Sequence, residues 1–185
     1  TLDCSQNGIR FIDLSKNTAL TDLNISKFPN YSLLHGYHGY QGDSLSYLDL
    51  SHNTSLINVN CSGNKIYNLN LGQNNSLEKL ICSSNKLTNL DVSQCSALKI
   101  LLCNANELTS LDVSNNYILE ELNIGSSGED LADYLSRLLP SAGTPSGYTG
   151  GNQITNLNIN QNSNLKFLRA QKNPISNINV TNNIN

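Results

Sequence analysis

Five cysteines are the residues of this sequence most suited to chemistry, because thiols can pair, bind metals or attack substrates. Cys61, Cys82 and Cys103 recur every 21 residues, and Cys4 falls in the same column of the repeat described below. No C-x-x-C pair is present, which argues against a metal site. We expect buried, inert thiols. A disulfide between stacked neighbours is the alternative, disfavoured by side-chain direction. The cysteine count therefore does not identify a compartment.

The histidines offer only weak evidence for a metal. His35 and His38 form an H-x-x-H pair, and His52 is the only other histidine. Zinc needs further ligands in a suitable arrangement. We expect these histidines to be solvent-exposed or locally hydrogen-bonded.

Three aspartates share one repeat position: Asp49, Asp91 and Asp112. Neighbouring carboxylates could hold calcium. We favour hydrogen bonds to the serines two residues further on, whose side chains we expect as the donors. The aspartates are then part of the framework.

No catalytic constellation is present. The sequence contains neither G-x-S-x-G nor a phosphate-binding glycine loop, and no histidine lies in the repeat core. A carboxylate pair is conceivable only through Glu121, Glu129 or Asp130. We predict no enzymatic activity, no cofactor and no metal.

Charge and hydropathy exclude two further classes. A formal net charge of -3 with 14% charged residues does not supply the basic face of a nucleic-acid-binding protein. No apolar run approaches the roughly 18 residues of a membrane-spanning helix. We expect neither nucleic-acid binding nor membrane insertion.

The chain is built from a repeat. Residues 56–76, 77–97 and 98–118 align without gaps on the 21-residue template L-x-x-L-x-C-x-x-N-x-L-x-x-L-D-V-S-x-N-x-x. Seven units cover the chain, the first without its opening leucine, and every residue at template positions 1, 4, 6, 11, 14 and 16 is apolar. A periodic pattern of this kind indicates a solenoid of stacked coils.

The repeat resembles the leucine-rich repeat family, whose pattern is L-x-x-L-x-L-x-x-N/C-x-L. Residues Leu77, Leu80, Cys82, Asn85 and Leu87 match it without adjustment. The short nested units are similar to those of bacterial surface and secreted proteins, including the internalin type. This resemblance covers the chain outside its two inserts and implies a ligand-binding scaffold.

We predict a β-rich solenoid, a right-handed superhelix of about seven coils with two strand segments per coil. It forms a single domain over residues 1–185, and we expect it to belong to a longer protein. Asparagines at template positions 9 and 19 should bond unpaired backbone groups at the corners. The position 9 column contains Asn7, Asn64, Asn85, Asn106, Asn152 and Asn173, and the position 19 column contains Asn17, Asn53, Asn74, Asn116, Asn162 and Asn183.

Two inserts, about 26–44 and 125–151, leave the coil just after position 6. The second contains a predicted short helix, with Ser127 as its cap, Pro140 at its end and an apolar stripe that includes Leu131. Both insert tips are rich in Tyr and Gly, a composition typical of adaptable binding loops.

An apolar patch on the first strand face marks the candidate binding surface. Ile81, Ile100 and Leu102 cluster there at outward positions. Either the inserts pack over part of this patch, or a groove lies open between them. The candidate ligand-binding residues are Tyr37, His38, Tyr40, Lys79, Ile81, Ile100, Leu102, Glu121, Tyr148, Phe167 and Arg169.

These observations predict a non-enzymatic, monomeric module that binds a protein or carbohydrate ligand at a bacterial cell surface or outside the cell. The alternative is a structural spacer or stalk segment of a larger surface protein, without a ligand of its own.

Overall fold

The computed structural model describes residues 1–27, 44–126 and 151–183, which form a solenoid of short parallel strands. The nine strands are β1 (Leu2–Asp3), β2 (Asp22–Asn24), β3 (Tyr47–Asp49), β4 (Asn58–Asn60), β5 (Asn68–Asn70), β6 (Lys79–Ile81), β7 (Ile100–Leu102), β8 (Glu121–Asn123) and β9 (Phe167–Arg169). Seven of them form one sheet in the order β1-β2-β4-β6-β7-β8-β9, and β3 pairs with β5.

The strand register follows the sequence repeat. Asn58 pairs with Lys79, and Lys79 pairs with Ile100, so each 21-residue step advances one coil. Asp22 pairs with Asn58 and Glu121 with Phe167, although an insert lies within each of these two steps. Both inserts therefore leave the strand register unchanged.

The second strand segment is less regular than predicted. It forms a ladder only between β3 and β5, with an isolated bridge between Leu157 and Ile178. Around Leu90 and Leu111 the described chain forms no strand, so two strand segments in every coil was wrong. The coils meet there through buried side chains and corner asparagines. The number of complete coils and the right-handed sense stay predictions.

The inward template positions form one continuous apolar core. Leu77, Leu80, Cys82 and Leu87 are all fully buried in a central coil. Burying such a side chain stabilises the fold by about 2 kcal/mol. Each coil packs on both neighbours, which is how a unit too small for its own core becomes stable.

The asparagines of the first corner form the predicted ladder. Asn85 Nδ2 donates to the carbonyls of Cys61 in the preceding coil (3.1 Å) and of Cys82 in its own coil (3.0 Å). Its Oδ1 accepts the N–H of Ile66 at 3.0 Å. The same three bonds recur at Asn64, Asn106, Asn152 and Asn173. One amide thus joins two coils and leaves none of its own groups unpaired.

The second corner fulfils only half of the prediction. Asn116 Nδ2 donates to the carbonyls of Val92 (3.1 Å) and Cys95 (2.9 Å). Its buried Oδ1 has no hydrogen-bond partner, and the same is true of Asn53, Asn74, Asn162 and Asn183. No backbone N–H reaches these oxygens. Cys95, which occupies this column in one coil, therefore forgoes the two donated bonds but no accepted one.

Position 8 turns the chain through the left-handed backbone region. The φ angle is 55° at Ser84, 53° at Ala105 and 72° at Gly63. A Cβ atom on Gly63 would collide with the carbonyl of Lys27. In the two coils with inserts, Lys27 and Ser126 occupy this position.

No helix long and apolar enough to cross a membrane occurs in the described residues. The helix predicted in the second insert lies outside them.

Candidate binding face

The seven-stranded sheet presents two outward rows of side chains. In each strand the central residue, at template position 4, faces the core, and positions 3 and 5 flank it. Alternation of this kind follows from the two-residue period of a strand. The solvent-facing surface is therefore made by two columns that run along the stack.

The half of this face formed by β1, β2 and β4 is polar, and its side chains form hydrogen bonds with one another. Thr1 Oγ1 and Asn58 Nδ2 donate to the two carboxylate oxygens of Asp22, at 3.1 and 2.8 Å. These bonds, with one from Thr21, lower the pKa of Asp22. Asn24 Nδ2 donates to Asp3 Oδ2 at 3.1 Å. We call this region the polar half.

Position 5 has a structural role in the polar half. Asp3 Oδ1 accepts the N–H of Ser5, two residues on, at 2.9 Å. This Asx turn leads the chain out of the strand, and the bond is the largest cause of the lowered pKa of Asp3. The same turn is made by Asn24 and Asn60, and in β8 by Asn123.

Three strands lack this turn because position 5 has no acceptor. It is Ile81 in β6, Leu102 in β7 and Arg169 in β9. After β6 the serine forms other bonds instead: Ser83 Oγ contacts the Leu102 carbonyl oxygen at 3.0 Å and Asn104 Oδ1 at 2.6 Å as a donor. The backbone path is unchanged, but the polar side chain at position 5 is gone.

The structure brings the predicted residues of the repeats together. Lys79, Ile100, Glu121 and Phe167 are paired neighbours in one row across β6, β7, β8 and β9. Ile81, Leu102, Asn123 and Arg169 form the parallel row. We call these two rows the apolar half.

Exposure and charge differ across the apolar half. Ile81, Ile100 and Leu102 are partly exposed, and Phe167 is 58% exposed. Arg169 forms an ion pair with Glu121 at 2.7 Å. An apolar centre bordered by an aromatic ring and a charged pair is the composition of a protein-binding hot spot.

Ion pairs along one flank join successive coils. Lys99 meets Glu78 at 2.9 Å, and Lys166 meets Glu120 at 3.0 Å. All four side chains are well exposed, and exposed pairs contribute at most about 1 kcal/mol each. These pairs reinforce the stacking and make the edge of the face charged.

The insert residues predicted to bind ligand, Tyr37, His38, Tyr40 and Tyr148, lie outside the described residues. The same holds for the H-x-x-H pair. Whether the inserts cover or flank the apolar half stays open between the two predicted arrangements.

The cysteines are free and mostly buried, as expected. Burial raises the pKa of Cys61 and Cys103 to about 12, and it raises the pKa of Cys82 as well. A thiol with such a pKa is protonated at neutral pH and unreactive. The cysteine column is therefore part of the core.

The aspartates of the second face bond the predicted serines. Asp49, Asp91 and Asp112 each accept the backbone N–H of the serine two residues further on at 2.9 Å. The side chains of the same serines also hydrogen-bond these carboxylates, as predicted. Within 1–27, 44–126 and 151–183, no group of three His, Cys, Asp or Glu side chains is placed to hold a metal ion.

Four exposed aromatic residues of the repeats are not among the predicted binding residues. Phe11, Tyr47, Tyr67 and Tyr117 are 42–77% exposed. Their template positions identify them in advance, because positions 12, 13 and 20 never face the core. The prediction named the tyrosines of the inserts instead.

Solved structures of leucine-rich repeat proteins are similar to this chain. One is the functional domain of InlJ from Listeria monocytogenes, described as including a cysteine ladder. It is 29% identical with a TM-score of 0.67, and the match covers 98% of this chain and 37% of that one. A leucine-rich repeat protein from Leptospira interrogans is 20% identical with a TM-score of 0.57, over 93% of this chain and 43% of that one. No protein-family model and no curated protein matches.

Proposed function

Because this chain is a leucine-rich repeat protein with internalin-like repeats, we propose that it is a non-enzymatic module that binds a protein through the apolar half of its strand face. It spans well under half the length of the two similar solved chains. The binding partner, the bacterial surface or extracellular location and the monomeric state are therefore part of this proposal.

The observation that carries the proposal is the loss of the Asx turn at Ile81 and Leu102. Position 5 needs only an Asp or Asn to complete the turn, as Asp3, Asn24 and Asn60 do. Ile81 and Leu102 cannot form that bond, and their apolar side chains are partly exposed to water. Residues that break a local rule without a structural gain are expected at functional sites.

The surroundings of these two residues favour a protein ligand. Ile100 extends the apolar centre, and Phe167 and Arg169 lie two strands away in the same two rows. Aromatic and Arg side chains beside a desolvated apolar centre dominate protein interfaces. The Glu121–Arg169 pair supplies orientation at the rim.

The inserts extend the same surface in this proposal. They leave the stack beside β2 and β8, four strand spacings apart, which is roughly 19 Å at the usual separation of paired strands. Tyr37, His38, Tyr40 and Tyr148 are proposed to contact the ligand from these two sides. The cysteine column corresponds to the cysteine ladder described for InlJ, and we assign it to the framework.

The proposal is tested by a double variant, Ile81→Asn with Leu102→Asn, which copies the residues of the polar half. Immobilised wild type, double variant and the control Asn58→Ala are exposed to extracts and to candidate surface proteins. A protein retained by the wild type and the control, with at least a hundredfold weaker affinity for the double variant, supports the proposal. Equal binding to all three contradicts it. No partner for the wild type favours the spacer alternative.

A further inference from the structure

All five aromatic residues in the described part of the chain lie at the surface. Their exposed fractions are 77% for Phe11, 42% for Tyr47, 59% for Tyr67, 56% for Tyr117 and 58% for Phe167. Aromatic rings normally contribute large buried areas to a core. Here the core is made of Leu, Ile, Val, Cys and Ala alone. These rings therefore serve something other than packing.

Three of the rings lie together on the second face, on the opposite side of the coil from the protein-binding face. Tyr47 pairs with Asn68 in the β3–β5 ladder, which places Tyr67 beside it in the next coil. Phe11 occupies the same template position as Tyr47, one coil earlier. Asn53 Nδ2 joins those two coils by bonds to the carbonyls of Leu14 and Asn17, both 2.9 Å. The three rings thus lie on successive coils, whose backbones are about 4.8 Å apart where they pair.

A rigid polar row runs beside the rings. Asp13, Asp49 and Asn70 each accept a backbone N–H two residues on, at 2.9–3.1 Å. Asn70 Nδ2 also donates to Asp49 Oδ1 at 3.1 Å, and the Tyr47 hydroxyl donates to Asp49 Oδ2 at 3.3 Å. The charge of Asp49 contributes, after desolvation, to a raised pKa of Tyr47. The polar oxygens and the Tyr47 ring are therefore held by hydrogen bonds within the fold.

The composition of this patch differs from that of the apolar half. Among the described residues of these three coils on the second face, the exposed large apolar side chains are the three rings alone. An aromatic face can stack on the C–H face of a pyranose. Carboxylate and amide oxygens can accept hydrogen bonds from its equatorial hydroxyls. The carboxylates of Asp13 and Asp49 lie beside the rings and would repel an anionic chain, so the patch favours an uncharged one.

We propose that Phe11, Tyr47 and Tyr67 form a second binding site, which takes a linear uncharged oligosaccharide along the stacking direction. Successive sugar rings stack on successive aromatic rings, and their hydroxyls donate to Asp13 and Asp49. This site is separate from the face that binds protein, and neither depends on the other.

The test uses defined oligosaccharides and single substitutions. Hexasaccharides of uncharged β-1,4-, β-1,3- and α-1,4-linked glucose, of N-acetylglucosamine and of mannose are titrated into the protein, with hyaluronan hexasaccharide as the anionic comparison. Tyr47→Ala and Tyr67→Ala should each weaken binding about tenfold. Tyr117→Ala, which removes an equally exposed ring elsewhere, should bind like the wild type.

The outcomes are decisive in both directions. Uncharged chains that bind and are lost only in the ring-removing variants support the site. Failure of every uncharged hexasaccharide at millimolar concentration, preference for hyaluronan, equal loss in Tyr117→Ala, or self-association of the wild type through these rings overturns it. The variant Ile81→Asn with Leu102→Asn should bind sugar normally, so failure of the protein-binding proposal is recognised separately.

Discussion

The two halves of the strand face share one backbone and differ in what their side chains do. Asn60 in the polar half accepts both the N–H (3.2 Å) and the hydroxyl (2.8 Å) of Ser62. The side chain of Ile81, the paired neighbour one coil further, has no acceptor atom. Because the strand register is continuous between them, folding alone does not require the change. Position 5 is thus a structural position in the polar half, and in the proposed function the apolar half uses it for binding instead.

If one framework supports both halves, removing a ladder asparagine should destabilise the protein equally in either half. This is the largest of the expected effects. Asn64→Ala acts beneath the polar half and Asn106→Ala beneath the apolar half. Each removes an amide that bonds two carbonyls and one N–H in the core. We expect each to cost about 3 kcal/mol in the free energy of unfolding, measured by urea denaturation.

Asn116→Ala provides the control for that series. Its amide oxygen has no partner, so only the two donated bonds are lost and the cost should be smaller, near 2 kcal/mol. Costs for Asn64→Ala and Asn106→Ala that differ by more than about 1.5 kcal/mol would mean that the two halves have separate supports.

A second, smaller effect comes from moving the apolar residue into the polar half. Asn60→Ile leaves the N–H and hydroxyl of Ser62 without their acceptor. The free energy of unfolding should fall by about 1 kcal/mol. The change is read from the urea midpoint, with Asn58→Ala measured in parallel. An unchanged midpoint for Asn60→Ile would show that the Asx turn contributes nothing and would remove the basis of the comparison.

The smallest expected effect is a difference between the two halves in their response to low pH. Hydrogen bonds lower the pKa of Asp3 and Asp22 in the folded state, so protonation favours the unfolded chain. Their stabilising effect is present above the ordinary value of 3.8 and is lost as the pH falls through the lower folded-state pKa. The amide NMR signal of Ser5, whose N–H bonds Asp3 Oδ1, should shift strongly below pH 4, and that of Ser83, which follows Ile81, should shift much less. Equal shifts in both halves would contradict this assignment.

Much of the framework could be predicted from the sequence because every inward position meets the same neighbours in each coil. Leu80 and its equivalents are buried as the template requires, and Asn85 makes the bonds expected of it. The repeat also predicts which side chains share a row, so Ile81 and Leu102 were identified as neighbours. Periodicity carries this information directly.

The remaining features depend on atomic geometry that a repeat does not encode. Asn85 and Asn116 look alike in sequence, yet the oxygen of one has a backbone donor and that of the other has none. The Asx turns at position 5 also escaped prediction, because Asp, Asn and a polar surface residue are indistinguishable without the partner N–H. The prediction of a second strand in every coil was wrong for the same reason, because Leu-x-Val alternation does not by itself create a ladder of hydrogen bonds.

The thermal melting of the double variant Ile81→Asn with Leu102→Asn tests the central claim most directly. If Ile81 and Leu102 do not stabilise the coil stack, the two asparagines of the variant can form the missing Asx turns. The melting temperature is then unchanged or a few degrees higher. A fall of more than about 5 °C would mean that Ile81 and Leu102 stabilise the coil stack themselves. That result would contradict the assignment of this surface to binding.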